Sequence, residues 1–251
     1  MATYEIVCAT TSGQLSKQDS STGTAATDFA TVRNADTADA VDLTDTVEFI
    51  EGTTFAARGG GNPVFRIRRA FYAFDVSNAG LSSPAVASSV VLKVARFSGS
   101  VDCDIIVVKA NKPDTSTNLA VEDFDAIPGF TDDATMSGNV TEYSSEIVEG
   151  TISATGYTEI TLNADARSDV ISLDTFAIAI IEHTQDYSNV VPTDSTNSNR
   201  IRGRSDGSFR PRIVITTADG YTHNVNGVAA ANIAKVDGVA TANIGKINGV
   251  D

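Results

Sequence analysis

Short runs in which apolar and polar residues alternate recur along the chain, separated by clusters of Gly, Asn, Asp, Ser and Pro. No window carries a sustained apolar stripe at helical spacing. The runs Tyr4–Cys8, Thr46–Ile50, Phe65–Phe74, Val90–Phe97, Cys103–Lys109, Glu146–Ile152, Thr158–Leu162, Phe176–Glu182 and Arg212–Thr216 predict β-strands. Only Ala164–Ile171 predicts a short helical turn. Phe176, Ile178 and Ile180 share one face of their run, and Ala177, Ala179 and Ile181 share the other. A strand apolar on both sides is a central strand covered on both faces. About nine strands with polar connections predict an all-β fold, a sandwich or a barrel.

Three stretches break this pattern. In Phe65–Phe74 the apolar parity changes at Arg68-Arg69, which predicts a β-bulge there. Gly59-Gly60-Gly61 just before it predicts a tight turn. Residues 10–45 are polar and weakly patterned, too long for an ordinary connector, and are expected as an extended arm or surface excursion. Residues 1–45 thus form a first region, 46–218 the strand-rich body and 219–251 a repetitive tail.

The tail holds the most specific internal signal. Val225-Asn226-Gly227-Val228, Val236-Asp237-Gly238-Val239 and Ile247-Asn248-Gly249-Val250 recur every 11 residues. Between them, Ala231-Asn232-Ile233 and Ala242-Asn243-Ile244 repeat in phase, as do Lys235 and Lys246. An Asn-Gly or Asp-Gly pair flanked by β-branched residues is a tight-turn signal, so each unit predicts strand, turn and strand. An 11-residue period also suits a right-handed helical repeat, but a Gly and β-branched residues in every unit oppose it. Such small units bury an apolar side only against a neighbour, so they are expected to dock on the body, on copies of themselves or on a partner.

Composition narrows the function classes. The 251 residues include 32 acidic and 18 basic side chains, a formal charge of −14. That balance opposes binding to a phosphate backbone or an anionic membrane surface. No apolar run reaches the roughly 18 residues of a membrane span. Met1–Gly13 has neither the basic nor the apolar region of a secretory signal. Cys8 and Cys103 are expected as buried free thiols rather than a bridge. With His183 and His223 alone, histidine-based catalysis is poorly supplied.

The stretch Arg69-Ala-Phe-Tyr-Ala-Phe-Asp-Val-Ser-Asn followed by Val86-Ala-Ser-Ser-Val-Val-Leu-Lys-Val resembles a widespread jelly-roll module. Tyr157-Thr-Glu-Ile-Thr-Leu-Asn resembles its middle strand, and Phe209-Arg-Pro-Arg-Ile-Val-Ile-Thr-Thr its closing strand. The resemblance spans roughly residues 35–217 and implies an antiparallel jelly-roll β-sandwich, with the tail as a β-repeat extension. The chain has no Trp, which many members of that family carry. The tail units are similar to tails on structural proteins of tailed bacteriophages. This implies a virion protein made in the host cytoplasm: a capsid decoration, head fibre or tail-associated component. Its partners would be other virion proteins and copies of itself. The assembly residues would be Val225, Gly227, Val228, Ile233, Val236, Gly238, Val239, Ile244, Ile247, Gly249 and Val250.

Candidate chemistry is sparse. Asp123, Asp125, Asp132 and Asp133 are the candidate Ca²⁺ ligands, because a hard cation takes several oxygens from one loop. Their spacing departs from an EF-hand, and a solvated acidic loop is the favoured reading; no other cofactor is expected. No pair of acids is singled out for glycoside hydrolysis, and neither histidine lies in a recognisable catalytic context, so no enzyme is expected. Arg200, Arg202, Arg204, Arg210 and Arg212 form one basic group, and Arg58, Arg66, Arg68 and Arg69 another. Pairing within the chain, with acids such as Asp75 and Asp206, is favoured over docking onto an acidic neighbour. The rival function is a carbohydrate-binding or adhesin module holding a host glycan, with Tyr187 and Asp123 as its test residues.

Overall fold

The computed structural model describes residues 2–20, 24–55, 63–77, 86–97, 103–132, 134–193, 198–218, 235–236 and 239–240. In chain order the elements are β1 (Ala2–Val7), β2 (Gly13–Ser20), α1 (Ala25–Arg33), β3 (Ala40–Asp42), β4 (Val47–Phe55), β5 (Val64–Asp75) and β6 (Val86–Val94). Then follow β7 (Ile105–Lys109), β8 (Thr158–Thr161), α2 (Ala164–Ser172), β9 (Thr175–Glu182), β10 (Ser198–Arg202) and β11 (Arg212–Ala218). In the tail, β12 (Lys235–Val236) pairs with β13 (Val239–Ala240).

Two antiparallel sheets make the sandwich. One has the order β1-β11-β6-β8. In the other, β5 pairs with β9 and β9 with β7. The chain crosses between sheets from β5 to β6, β6 to β7, β7 to β8 and β8 to β9, which is jelly-roll connectivity. This second sheet is widened at β5: β4 and β10 continue it beside residues 64–68, while β2 and β3 add to the opposite edge. The outer edge of β7 is met by residues 141–147 through single bridges, Ile105 to Ile147 and Val108 to Glu142. That segment is where a strand was predicted at Glu146–Ile152. The chain instead turns through Gly150 (φ 76°), with Ile152 buried in the inner core and Ile147 packed against it.

Two apolar clusters flank the wider sheet. Between the sheets lie Tyr72 and Phe74 of β5, Val90, Leu92 and Val94 of β6, Phe176, Ile178 and Ile180 of β9, and Ile213 and Ile215 of β11. Helix α2 adds Ala166 and Val170, one turn apart, behind an Asn163 N-cap whose side chain accepts from the Asp165 and Ala166 amides. The sheet's other face carries Phe65, Ile67 and Phe71 of β5 and Ala177, Ala179 and Ile181 of β9. Phe29 and Val32 of α1, with Leu119, Phe124, Ile127 and Met136 of the long β7–β8 connection, cover that face. The two-sided burial expected of Phe176–Glu182 is thus observed.

Two sequence expectations fail here for physical reasons. Strand β5 has no bulge: its register with β2 runs unbroken from Val64 to Phe71. The apparent phase change arises because Arg69 occupies an inward position between Ile67 and Phe71 as a buried charge. A register shift occurs instead on β11, between Thr216 and Thr217. Residues 10–45 do not form an arm: they supply β2, α1 and β3. Strand β2 carries a single large apolar side chain, Leu15, so alternation was too weak to reveal it.

Candidate functional site

In the tail, Val236 pairs with Val239 and Lys235 with Ala240, leaving Asp237 and Gly238 between them. Two short strands thus pair antiparallel in the middle unit, and the expected turn at Asp237-Gly238 lies outside the described residues. The remaining assembly residues, Val225, Gly227, Val228, Ile233, Gly238, Ile244, Ile247, Gly249 and Val250, lie outside the described residues.

Strand β1 forms one border of the smaller sheet and pairs only with β11 among the described strands. Its faces alternate: Thr3, Glu5 and Val7 are exposed, while Tyr4 and Ile6 pack on the inner core. The Cys8 amide donates to the Pro211 carbonyl and the Ala9 amide to Ala73 of the other sheet, so the backbone changes direction with each residue.

Several of the described arginines have charge or ring partners within the chain, although Nε of Arg68, Arg202, Arg204 and Arg210 is buried with no hydrogen-bond partner. Glu51 accepts from Arg66 Nε at 2.9 Å and lies 3.4 Å from Arg68. The rings of Phe55 and Phe49 lie under Arg66 and Arg68, and Arg200 shares Phe49. Arg202 bonds Asp206 at 2.8 Å, as expected, and Arg212 pairs with Glu5 over Tyr157. Asp75 accepts from the Ser77 amide and hydroxyl. Arg58 lies outside the described residues.

Arg69 belongs to a buried ion cluster that sequence reasoning missed. Its guanidinium grips Asp186 through two bonds of 2.7 Å and donates to the carbonyls of Phe124 and Arg33. Arg33 reaches the Asp186 carbonyl at 2.7 Å, and Phe130 lies under both guanidiniums. Asp186 sits in a one-turn π-helix, His183–Tyr187, whose amides at Thr184, Gln185 and Asp186 bond the Glu182 carboxylate. Burial pushes the Glu182 carboxyl up to about 7 against those bonds. Gly52 makes the room: a Cβ there would stand 2.6 Å from Cβ of Gln185. The signal available in the sequence was the charged Arg69 inside an apolar run. Its partner, 117 residues away, had none.

The same π-helix removes Tyr187 from glycan contact. Tyr187 is 5% exposed, stacks on His183 and bonds Glu142. His183 directly follows β9 and faces Glu146 at 3.2 Å; His223 lies outside the described residues.

Of the Ca²⁺ candidates, Asp123 accepts from the Ala120 amide and closes a 3-10 turn. Burial raises the Asp125 carboxyl, with Asp36 and Asp132 nearby adding repulsion. Asp133 lies outside the described residues. Among the described residues no group of three or more His, Cys, Asp or Glu is arranged to hold a metal ion.

Two further polar sites emerge. A cleft of about 300 Å³ is lined by Lys109, Thr141, Asp165, Ser168 and Asp169. Asp169 bonds Lys109 at 2.7 Å and the Tyr143 hydroxyl at 2.5 Å, joining α2 to the end of β7. The second site is internal. Glu48 is buried near Tyr72, Cys8 and Arg204, and its carboxyl accepts from the Arg204 amide. Burial drives Glu48 up to about 7 and the Cys8 thiol up to about 12. Cys8 and Cys103 are both buried, and neither forms a disulfide.

No family model matches this sequence, and no curated protein matches it. The geometry above therefore carries the functional reading.

Proposed function

We propose that the chain is a non-enzymatic structural protein of a tailed-phage virion, decorating the capsid or forming part of a head fibre or tail, and acting through oligomeric assembly. The observation that carries this reading is the hairpin in the middle tail unit, repeated in sequence on either side. Two-residue strands cannot hold an apolar side alone, so the units need a surface to lie on. The body supplies a rigid brick whose wider sheet is covered on both faces.

Among the described residues, both apolar clusters are built from the body. Deleting residues 219–251 is expected to lower the oligomeric mass measured by light scattering, with the melting temperature nearly unchanged. An unchanged mass rejects the assembly role.

The polar cleft between α2 and β7 favours one second reading, capture of a glycan. Its hydroxyls and carboxylates suit sugar hydroxyl groups. Asp165→Ala is expected to abolish any glycan-array signal under that reading, and an array that stays blank for the parent chain removes it.

A further inference from the structure

We propose that the outer edge of β1 is the acceptor for a tail hairpin from a second copy of this chain, extending the four-stranded sheet to six strands across the contact. The proposal rests on the assembly reading and names the surface that reading needs.

Three independent features of the backbone and sequence agree at one register. The first is hydrogen-bond phase. Cys8 donates to Pro211 and β1 pairs with β11 in unbroken register, so the N–H and C=O groups of Ala2, Tyr4 and Ile6 face β11. Those of Thr3, Glu5 and Val7 face outward. Ala9, next in that series, donates away from β11 to Ala73. In the hairpin, Val236 and Val239 flank a two-residue connection and form its closing bonded pair. The groups of Lys235 therefore point out of the hairpin. Glu5 and Lys235 are in phase to exchange both bonds.

The second feature is sidedness. Directly opposed residues share a face. With Lys235 opposite Glu5, antiparallel pairing sets Val236 opposite Tyr4, so an apolar residue continues the side of β1 that packs on the core. The sequence continues back to Ile233, which the same register sets opposite the exposed Val7. The third feature is charge: the register opposes a lysine to a glutamate. The third unit repeats the pattern with Ile244, Lys246 and Ile247; the first has Thr222 and Asn224 in the equivalent places. The second and third units thus both carry the donor sequence.

Among the described residues only β11 pairs with strand β1. It runs six residues without Pro, Lys or a bulge, the devices that usually blunt an edge strand. Other borders are shorter or engaged. Strand β3 has three residues and β8 four; β7 is met by residues 141–147, and β10 bonds Ala95 and Phe97.

The test uses full-length chains. Val7→Pro removes an outward N–H without removing a bond to β11, and Lys235→Pro with Lys246→Pro does the same to both donor strands. Each variant is expected to run at the single-chain mass of 26.2 kDa. Mixing the two brings intact donors together with an intact acceptor, and a complex of more than one chain is expected. Glu5→Lys provides an arm without proline: it is expected to lower the mass, and Lys235→Glu with Lys246→Glu is expected to restore it. If tail deletion lowers the mass while Val7→Pro and Glu5→Lys leave it unchanged, the β1 proposal falls and the assembly reading stands. If tail deletion also leaves the mass unchanged, both fall. A mixture that remains at single-chain mass overturns docking between copies.

Discussion

Asp186→Ala is expected to lower the unfolding free energy by about 3–5 kcal/mol, the usual cost of removing one partner from a buried ion pair. Arg33, Arg69 and Asp186 have fully buried side chains, so no solvent screens the charges left behind. The loss would also loosen several elements together. Arg69 ties β5 to the Phe124 carbonyl in the long connection and to the Arg33 carbonyl at the end of α1, while Arg33 ties α1 to the π-helix and to Ala134. Arg69→Met combined with Asp186→Leu is expected to cost less than Asp186→Ala alone, because neither ion then lacks its partner. Urea titration of the three proteins measures this. Additive losses, or a single-variant cost under about 1 kcal/mol, would show that the cluster is not an energetic unit.

The second large effect is a pH dependence of opposite sign to ordinary acid denaturation. Glu48 is neutralised more readily in the folded chain than in the unfolded one, its carboxyl standing near 7 against an ordinary value of 4.5. The folded state therefore holds the proton more tightly. Its contribution is complete below about pH 4.5, declines as pH rises towards 7 and is absent above that. The displacement amounts to about 3 kcal/mol across that window. Glu182, raised to about 7, adds in the same direction. Asp114, held low by the Ser116 amide, acts in the opposite sense and only below its ordinary 3.8. Glu48→Gln is expected to flatten the slope between pH 5 and 8 and to be more stable than the parent at pH 8. A parallel dependence in parent and variant would exclude Glu48 as its source.

Alternation revealed the strands that have a strong apolar face: β5, β6, β9 and β11 all carry side chains of the inner core at every second position. It also revealed α2, where an Asn cap precedes Ala166 and Val170. What escaped had weaker local signals. Strand β2, Gly13-Gln-Leu-Ser-Lys-Gln-Asp-Ser, is held by backbone pairing between β5 and β3 and presents mostly polar side chains. Helix α1 buries Phe29 and Val32 together with a charge, Arg33, so its stripe was incomplete. Long-range chemistry was least legible. Glu48 reads as one more acid in an acidic chain, and nothing local distinguishes it from the exposed Asp45 three residues away. In the tail, Asp237-Gly238 is a turn signal that needs no reference to the rest of the fold, and the two short strands beside it do pair.

The pairing of Ala2 with Thr217 has a mechanical consequence. The described body begins and ends at the same end of one antiparallel pair. Tension applied between Ala2 and Ala218 would draw the two strands apart sideways, loading their hydrogen bonds one after another from that end. A strand pulled along its length would instead load all of its bonds together in shear. Held at these two points, the brick opens like a zipper and yields at low force. Held through the tail and a distant face of the body, it transmits load along β11 through bonds to neighbours on both sides. Where the protein is anchored thus decides how much force it bears.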